Sequence, residues 1–191
     1  MLDHPRISIY ALAGRLKDAT VQGESTGEIH GITHDSRAIQ PGDLFVCIQG
    51  GAFDGHRFAA DALNKGASAV AVNVGGLEKV GITLPVNACV LTVPDTRLAL
   101  PLLACALYED PSRALLTIGV TGTNGKTTTM RMVASILKAA GRSVGMIGTL
   151  GAELDGDPIP SAHTTPEADQ LQALLARMRD AGADAQGAKA P

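Results

Sequence analysis

Along the chain, short apolar runs take turns with stretches where apolar residues recur every three or four positions, the rhythm of strands followed by amphipathic helices. Ser8 predicts the cap of a first helix with Ile9, Leu12 and Leu16 on one face, ending near Asp18. Ile29 to Thr33 and Leu44 to Ile48 read as strands on either side of the turn Pro41-Gly42-Asp43. The second strand ends in a glycine-containing loop, Gln49 to His56. A short helix follows with Phe58, Ala59, Ala62 and Leu63 inward, closed by Gly66. Ala69 to Val72 and Ala88 to Val93 are two further apolar strands. Asp95 predicts a helix cap, with the helix reaching about Tyr108; Pro101 means that it either kinks there or begins just before. Glu109-Asp110-Pro111-Ser112 is the strongest boundary signal in the chain.

Beyond that boundary, Leu115 to Ile118 reads as a buried strand and Met130 to Ala140 as a helix stopped by Gly141. Ser143 to Ile147 predicts a parallel strand, and Asp155-Gly156-Asp157-Pro158 a hairpin-like segment. Thr165 as N-cap with Pro166 at the first helical position opens a last helix, with Leu171, Leu174, Leu175 and Met178 inward and Gly182 as its stop. Gln186 to Pro191 is polar and contains Gly and Pro, so the pattern assigns it to a tail and not to a buried strand. The expected fold is α/β with two domains, residues 1–110 and 111–185, followed by the tail 186–191.

Composition adds constraints. Hydrophobic residues make up 45% of the chain but aromatics only 3%, so the core must be aliphatic. A net charge of −3 offers no electrostatic footprint for nucleic acid or an anionic membrane. The longest apolar run, Leu98 to Tyr108, is too short to span a bilayer, and Met1 to Pro5 lacks the features of a signal peptide. Cys47, Cys89 and Cys105 have no metal-ligand spacing and read as buried thiols of a cytoplasmic protein.

The chemistry concentrates in Gly119-Val120-Thr121-Gly122-Thr123-Asn124-Gly125-Lys126-Thr127-Thr128, between a strand and a helix. Glycines let backbone N–H groups approach phosphate oxygens, and a helix N-terminus adds partial positive charge. Gly122, Thr123, Asn124, Gly125, Lys126, Thr127 and Thr128 are therefore the expected nucleotide-binding residues. Lys126 would reach the outer phosphates as the catalytic cation, and the Thr127 hydroxyl would ligate Mg²⁺. The pattern departs from G-x-x-x-x-G-K-[ST], because Val120 stands where the first glycine is usual.

Thr121-Gly122-Thr123-Asn124-Gly125-Lys126-Thr127-Thr128 resembles the ATP loop of the Mur ligases, ATP-dependent amide synthetases of peptidoglycan precursor assembly. Asp35-Ser36-Arg37, Pro41-Gly42-Asp43-Leu44-Phe45-Val46, Asp54-Gly55-His56 and Gly66-Ala67 are similar to the N-terminal domain of the members that add the third residue or the final dipeptide. Ile147-Gly148-Thr149 with Thr164-Thr165-Pro166 resembles the members that add the third residue. The resemblance implies a small Rossmann-like α/β N-terminal domain that holds the UDP end of the substrate, then an incomplete P-loop α/β central domain. It implies substrate contacts at Ser36, Gly51, Ala52, Phe53, Thr164 and Thr165, with His163 a weaker candidate. Read without the resemblance, Asp35-Ser36 is an ordinary Asx or Ser turn and Gly50-Gly51 an ordinary loop. The implied reaction is ATP-dependent addition of a third amino acid to UDP-N-acetylmuramoyl-L-alanyl-D-glutamate through an acyl phosphate, with a UDP-N-acetylmuramoyl peptide and an amino acid as partners and a monomeric enzyme. The alternatives are the dipeptide-adding ligase and a non-catalytic nucleotide-binding fragment. After Ala185 the family continues into a strand and further domains that this chain does not match, so the chain by itself is expected to be inactive.

Overall fold

A computed structural model describes residues 6–24, 27–51, 53–148, 151–159 and 166–189. The chain divides into two compact units, Met1–Tyr108 and Glu109–Pro191. At the division Glu109 and Asp110 both take positive φ, 59° and 49°, a conformation that neither a helix nor a strand can continue through.

The first unit is built on a sheet of order β1-β5-β4-β3-β2. Its strands are β1 (Thr20–Gln22), β2 (Gly31–Thr33), β3 (Asp43–Val46), β4 (Ala69–Asn73) and β5 (Val90–Val93). All neighbours pair in parallel except β1, which runs antiparallel to β5. Side chains alternate across the pleat, so Phe45, Val70 and Val72 enter one core cluster with Ala59, Ala62 and Ala67. Leu44, Val46, Ala69 and Ala71 are equally buried on the other face. Helix α4 (Thr96–Leu107) packs there against β2 and β4, and α1 (Ile9–Ala13) packs on α4. A 3₁₀ turn, Gly55–Phe58, leads into α2 (Ala59–Asn64), and α3 (Gly76–Val80) follows β4.

Several sequence expectations change here. Helix α1 stops at Ala13 with Gly14 as its cap, short of Asp18, which takes a non-helical positive φ of 57°. Phe58 does not point inward: it is the cap residue of α2 and is exposed, since the small Ala59 and Ala62 make the close packing. Helix α4 runs from Thr96 to Leu107 with Pro101 inside it, so it does not begin just before the proline. Its cap is Asp95, whose carboxylate accepts from the N–H groups of Arg97 at 2.8 Å and Leu98 at 3.1 Å. Strand β1 and helix α3 are additions that the apolar pattern did not announce.

The second unit has a sheet of order β6-β10-β7-β8-β9. Its strands are β6 (Leu116–Val120), β7 (Val144–Gly148), β8 (Gly151–Leu154), β9 (Asp157–Ile159) and β10 (Ala185–Lys189). Asp155 and Gly156, both at positive φ, make the two-residue turn between β8 and β9. Helices α5 (Pro111–Ala114), α6 (Lys126–Ala139) and α7 (Ala168–Asp180) complete the unit. Helix α7 seals one core with Leu174, Leu175 and Met178 over Leu115, Ile147 and Ala152. Gly145 of β7 is small for a reason: a Cβ there would lie 2.5 Å from the Met178 sulfur.

The largest correction concerns residues 186–191. Residues 185–189 are not a tail but an interior strand, β10, parallel to β6 on one side and to β7 on the other. Its place is secured by backbone ladders on both edges, which do not depend on side-chain hydrophobicity. Residues 190–191 lie outside the described part. Strand β6, expected to be buried, stands at the sheet edge in this unit and leaves Leu116 48% exposed. Helix α7 is capped by Glu167, so Pro166 precedes the helix and does not occupy its first turn.

Candidate functional site

In the second unit, β6 delivers Val120 into the loop Thr121–Gly125, and α6 begins at Lys126, four residues earlier than its apolar periodicity suggests. The loop turns on two glycines at positive φ, Gly122 at 144° and Gly125 at 76°. Gly125 is the N-cap of α6, and having no side chain it leaves the first turn uncapped. The first helical bond runs from the Thr129 N–H to the Gly125 carbonyl at 2.9 Å. The N–H groups of Lys126, Thr127 and Thr128 therefore have no intrahelical acceptor and open toward the loop. Lys126 folds its ammonium back onto the carbonyl of Gly122. Thr123, Asn124, Thr127 and Thr128 are exposed. The arrangement is a concave set of donors and one cation, fit for an anionic oxygen cluster. Among the described residues no three His, Cys, Asp or Glu gather as a metal site.

In the first unit, the sequence candidates lie after the carboxyl ends of parallel strands, the usual ligand edge of such a sheet. Ser36 follows β2. The Asp35 carboxylate accepts from the Arg37 backbone N–H at 2.9 Å, an Asx turn that presents the Ser36 hydroxyl without a partner among the described residues. The same carboxylate is forked by the Arg37 guanidinium at 2.9 and 2.7 Å, and that side-chain bond holds its pKa down to about 2. Lys65 donates to the Ser36 carbonyl at 2.8 Å and pairs with Asp61, bracing the turn from behind.

Gly51 and Phe53 sit on the loop after β3. The Gly50 N–H donates to the Phe53 carbonyl and the Gly55 N–H to the Ile48 carbonyl, both at 2.9 Å, so the loop is a closed tongue with Phe53 75% exposed. Ala52, His163, Thr164 and Thr165 lie outside the described residues.

Sequence reasoning passed over the group beneath this tongue. His56 is 1% exposed. Its Nδ1 lies 2.6 Å from Asp54 Oδ1, and its Nε2 accepts from the Asn73 backbone N–H at 3.0 Å. That acceptance assigns the proton to Nδ1, which donates to Asp54. The Asn73 side chain accepts from the Thr96 N–H, and the Thr96 hydroxyl donates to the Cys47 carbonyl, both at 2.7 Å. Burial raises the Asp54 carboxyl, but the bonds from the His56 ring and N–H outweigh it and leave its pKa lowered. Burial, with the Asp54 charge, pushes the Cys47 thiol up to about 12. The one sequence signal was Asp54-Gly55-His56, whose spacing lets the carboxylate take the His56 backbone N–H at 3.0 Å.

Comparisons with known proteins agree on one family. A model described as "Mur ligase family, catalytic domain" matches residues 28–108, and one described as "Mur ligase middle domain" matches residues 120–186. A UDP-N-acetylmuramoyl-L-alanyl-D-glutamate–2,6-diaminopimelate ligase of Syntrophomonas wolfei is 42% identical over 176 residues, 88% of this chain and 34% of the relative. A solved structure of a ligase with the same activity in its name superposes with a TM-score of 0.72 at 26% identity, over 97% of this chain and 36% of that one. The MurF ligase from Thermotoga maritima in complex with ADP superposes with a TM-score of 0.56 at 25% identity, over 83% of this chain and 31% of that one. The chain spans about a third of the length of the curated relatives it matches.

Proposed function

The chain belongs to the Mur ligase family, and from that premise we propose that its two units are the substrate-anchoring and ATP-binding parts of a ligase that adds the third amino acid to UDP-N-acetylmuramoyl-L-alanyl-D-glutamate. The observation that carries the reading is the loop Gly122–Thr128, where two positive-φ glycines, an uncapped helix start and Lys126 converge. The third-residue activity is favoured over dipeptide addition because the relative at 42% identity bears that activity in its name, whereas the MurF likeness stands at 25%.

ATP supplies the phosphoryl group that turns a substrate carboxylate into an acyl phosphate, open to attack by an amine. The chain's own task is positioning and charge neutralisation, which dominate phosphoryl transfer. The N–H groups of Lys126, Thr127 and Thr128 would hold phosphate oxygens. Lys126 would leave the Gly122 carbonyl to neutralise the outer phosphate, and Thr127 would offer its hydroxyl to Mg²⁺. In the first unit, Ser36 with Gly51, Ala52 and Phe53 would hold the uridine nucleotide, and Thr164 and Thr165 of the second unit would serve the peptide end. A reaction fed by ATP and a uridine nucleotide belongs in the cytoplasm.

Calorimetry with Mg-ATP tests the nucleotide site. Wild type should bind, and Lys126→Ala should weaken binding by at least about tenfold, the scale of one charge-assisted contact. Equal binding by both proteins, or none by wild type, would refute the assignment.

A further inference from the structure

We infer that His56 is a positioning residue for the substrate: acting through Asp54, it holds the Gln49–Asp54 tongue in the shape that presents Gly51 and Phe53. The inference deepens the reading of the first unit as the holder of the uridine nucleotide and rests on it.

The tongue has little of its own to keep it in place. Gly51 and Phe53 are exposed, and a Cβ at Gly51 would meet nothing within 4 Å. Among the described residues, apart from its closing backbone bonds, the tongue is held by Arg97, 3.5 Å from the Gln49 carbonyl, and by the side chain of Asp54 at its base. Asp54 is where the tongue meets the core, and its side chain does so through Oδ1, which takes both the His56 N–H and the His56 ring.

The chemistry of the ring argues against mere filling. An apolar side chain would occupy this 1% exposed space without any polar group to satisfy, whereas a buried imidazole must find partners for both nitrogens. Here both are found, and they point different ways. Nε2 faces the end of β4 and, through Asn73, Thr96 and the Cys47 carbonyl, a chain of bonds that ties β3, β4 and the start of α4 together. Nδ1 faces the tongue. Gly76 clears the room: a Cβ there would lie 2.4 Å from Nε2 and 2.5 Å from Cδ2. The ring thus transmits the rigidity of the sheet's carboxyl edge to a loop that lies beyond it.

Two substitutions separate the two faces of the ring. His56→Asn keeps an N–H donor near the Nδ1 position, whereas His56→Gln keeps an acceptor near Nε2; Asp54→Ala removes the tongue's partner outright. In the full chain, amide exchange at Gly50 and Gly55 reads the tongue, exchange at Cys47 and Val70 reads the core, and an NMR titration with UDP reads the ligand. Asp54→Ala and His56→Gln should each speed Gly50 and Gly55 exchange and weaken UDP by about tenfold or more, the scale of losing one charge-assisted hydrogen bond. His56→Asn keeps the bond to Asp54 but leaves the Asn73 N–H without an acceptor, so it should speed Gly50 and Gly55 and weaken UDP less than His56→Gln does, and Asp54→Ala should leave Cys47 and Val70 slow. Unchanged Gly50 and Gly55 exchange in Asp54→Ala overturns the inference, and so does a loosened tongue with undiminished UDP affinity. If wild type does not bind UDP, the uridine reading falls and takes the substrate role with it, while exchange still decides whether the tongue is held by His56.

Discussion

Gly76→Ala sets two physical effects against each other. Gly76 opens α3, and replacing a helical glycine by alanine ordinarily stabilises by about 0.5–1 kcal/mol. At this position the new methyl would sit 2.4 Å from His56 Nε2, 2.5 Å from Cδ2 and 3.0 Å from Cε1, well inside contact distance. The ring is buried and held by bonds of 2.6 and 3.0 Å, so it cannot swing away without breaking one or both. Overpacking of this kind costs about 1–3 kcal/mol, and leaving the Asn73 N–H without an acceptor adds about 1–3 kcal/mol. Against a propensity gain of at most about 1 kcal/mol, the net is a destabilisation near 3 kcal/mol. Native-state amide exchange in the full chain can read this unit separately. The Val70 N–H, bonded to the Cys89 carbonyl at 3.1 Å, and the Cys47 N–H, bonded to the Ala71 carbonyl at 2.9 Å, should exchange about a hundredfold faster. Gly50 and Gly55 should follow. Exchange as slow as wild type, or slower, would mean that propensity wins and that the ring is not fixed as argued.

Arg37→Ala should move the carboxyl midpoint of Asp35 from about 2 back toward its ordinary 3.8, because the lost guanidinium bond is the main cause of the depression. The folded value lies below the unfolded one, so this carboxylate's stabilisation is complete above 3.8 and fades as pH falls through about 2. A carbon-detected NMR titration that finds the same midpoint in both proteins would contradict the assignment. Gly187→Pro tests strand β10. It removes a donor from β10 between β6 and β7, costing about 1–3 kcal/mol or more. Exchange at the Leu116 N–H, bonded to the Asp184 carbonyl at 3.1 Å, should accelerate accordingly, and an unchanged rate would show that the strand is dispensable.

What the chain by itself determined was local. The apolar runs of β3, β4 and β7, the caps Ser8 and Asp95, and the glycine-rich turn into Lys126-Thr127-Thr128 follow from backbone and side-chain preferences that act within a few residues. The phosphate-loop candidate was legible for the same reason, since its donors are consecutive backbone groups on one turn. Tertiary structure decided what depends on partners distant in sequence. Residues 185–189 carry no strand pattern and become an interior strand because β6 and β7 offer unpaired ladders on either side. Met130 comes within 3.9 Å of where a Gly187 Cβ would stand, so a bulky residue at that point of the strand would be unnecessary to fill the space. His56 is the same lesson in side chains: its partners Asn73 and Gly76 lie 17 and 20 positions away, joined to it only because β4 and α3 fold over the end of β3. A buried hydrogen bond is specified by two addresses, and a linear reading shows them one at a time.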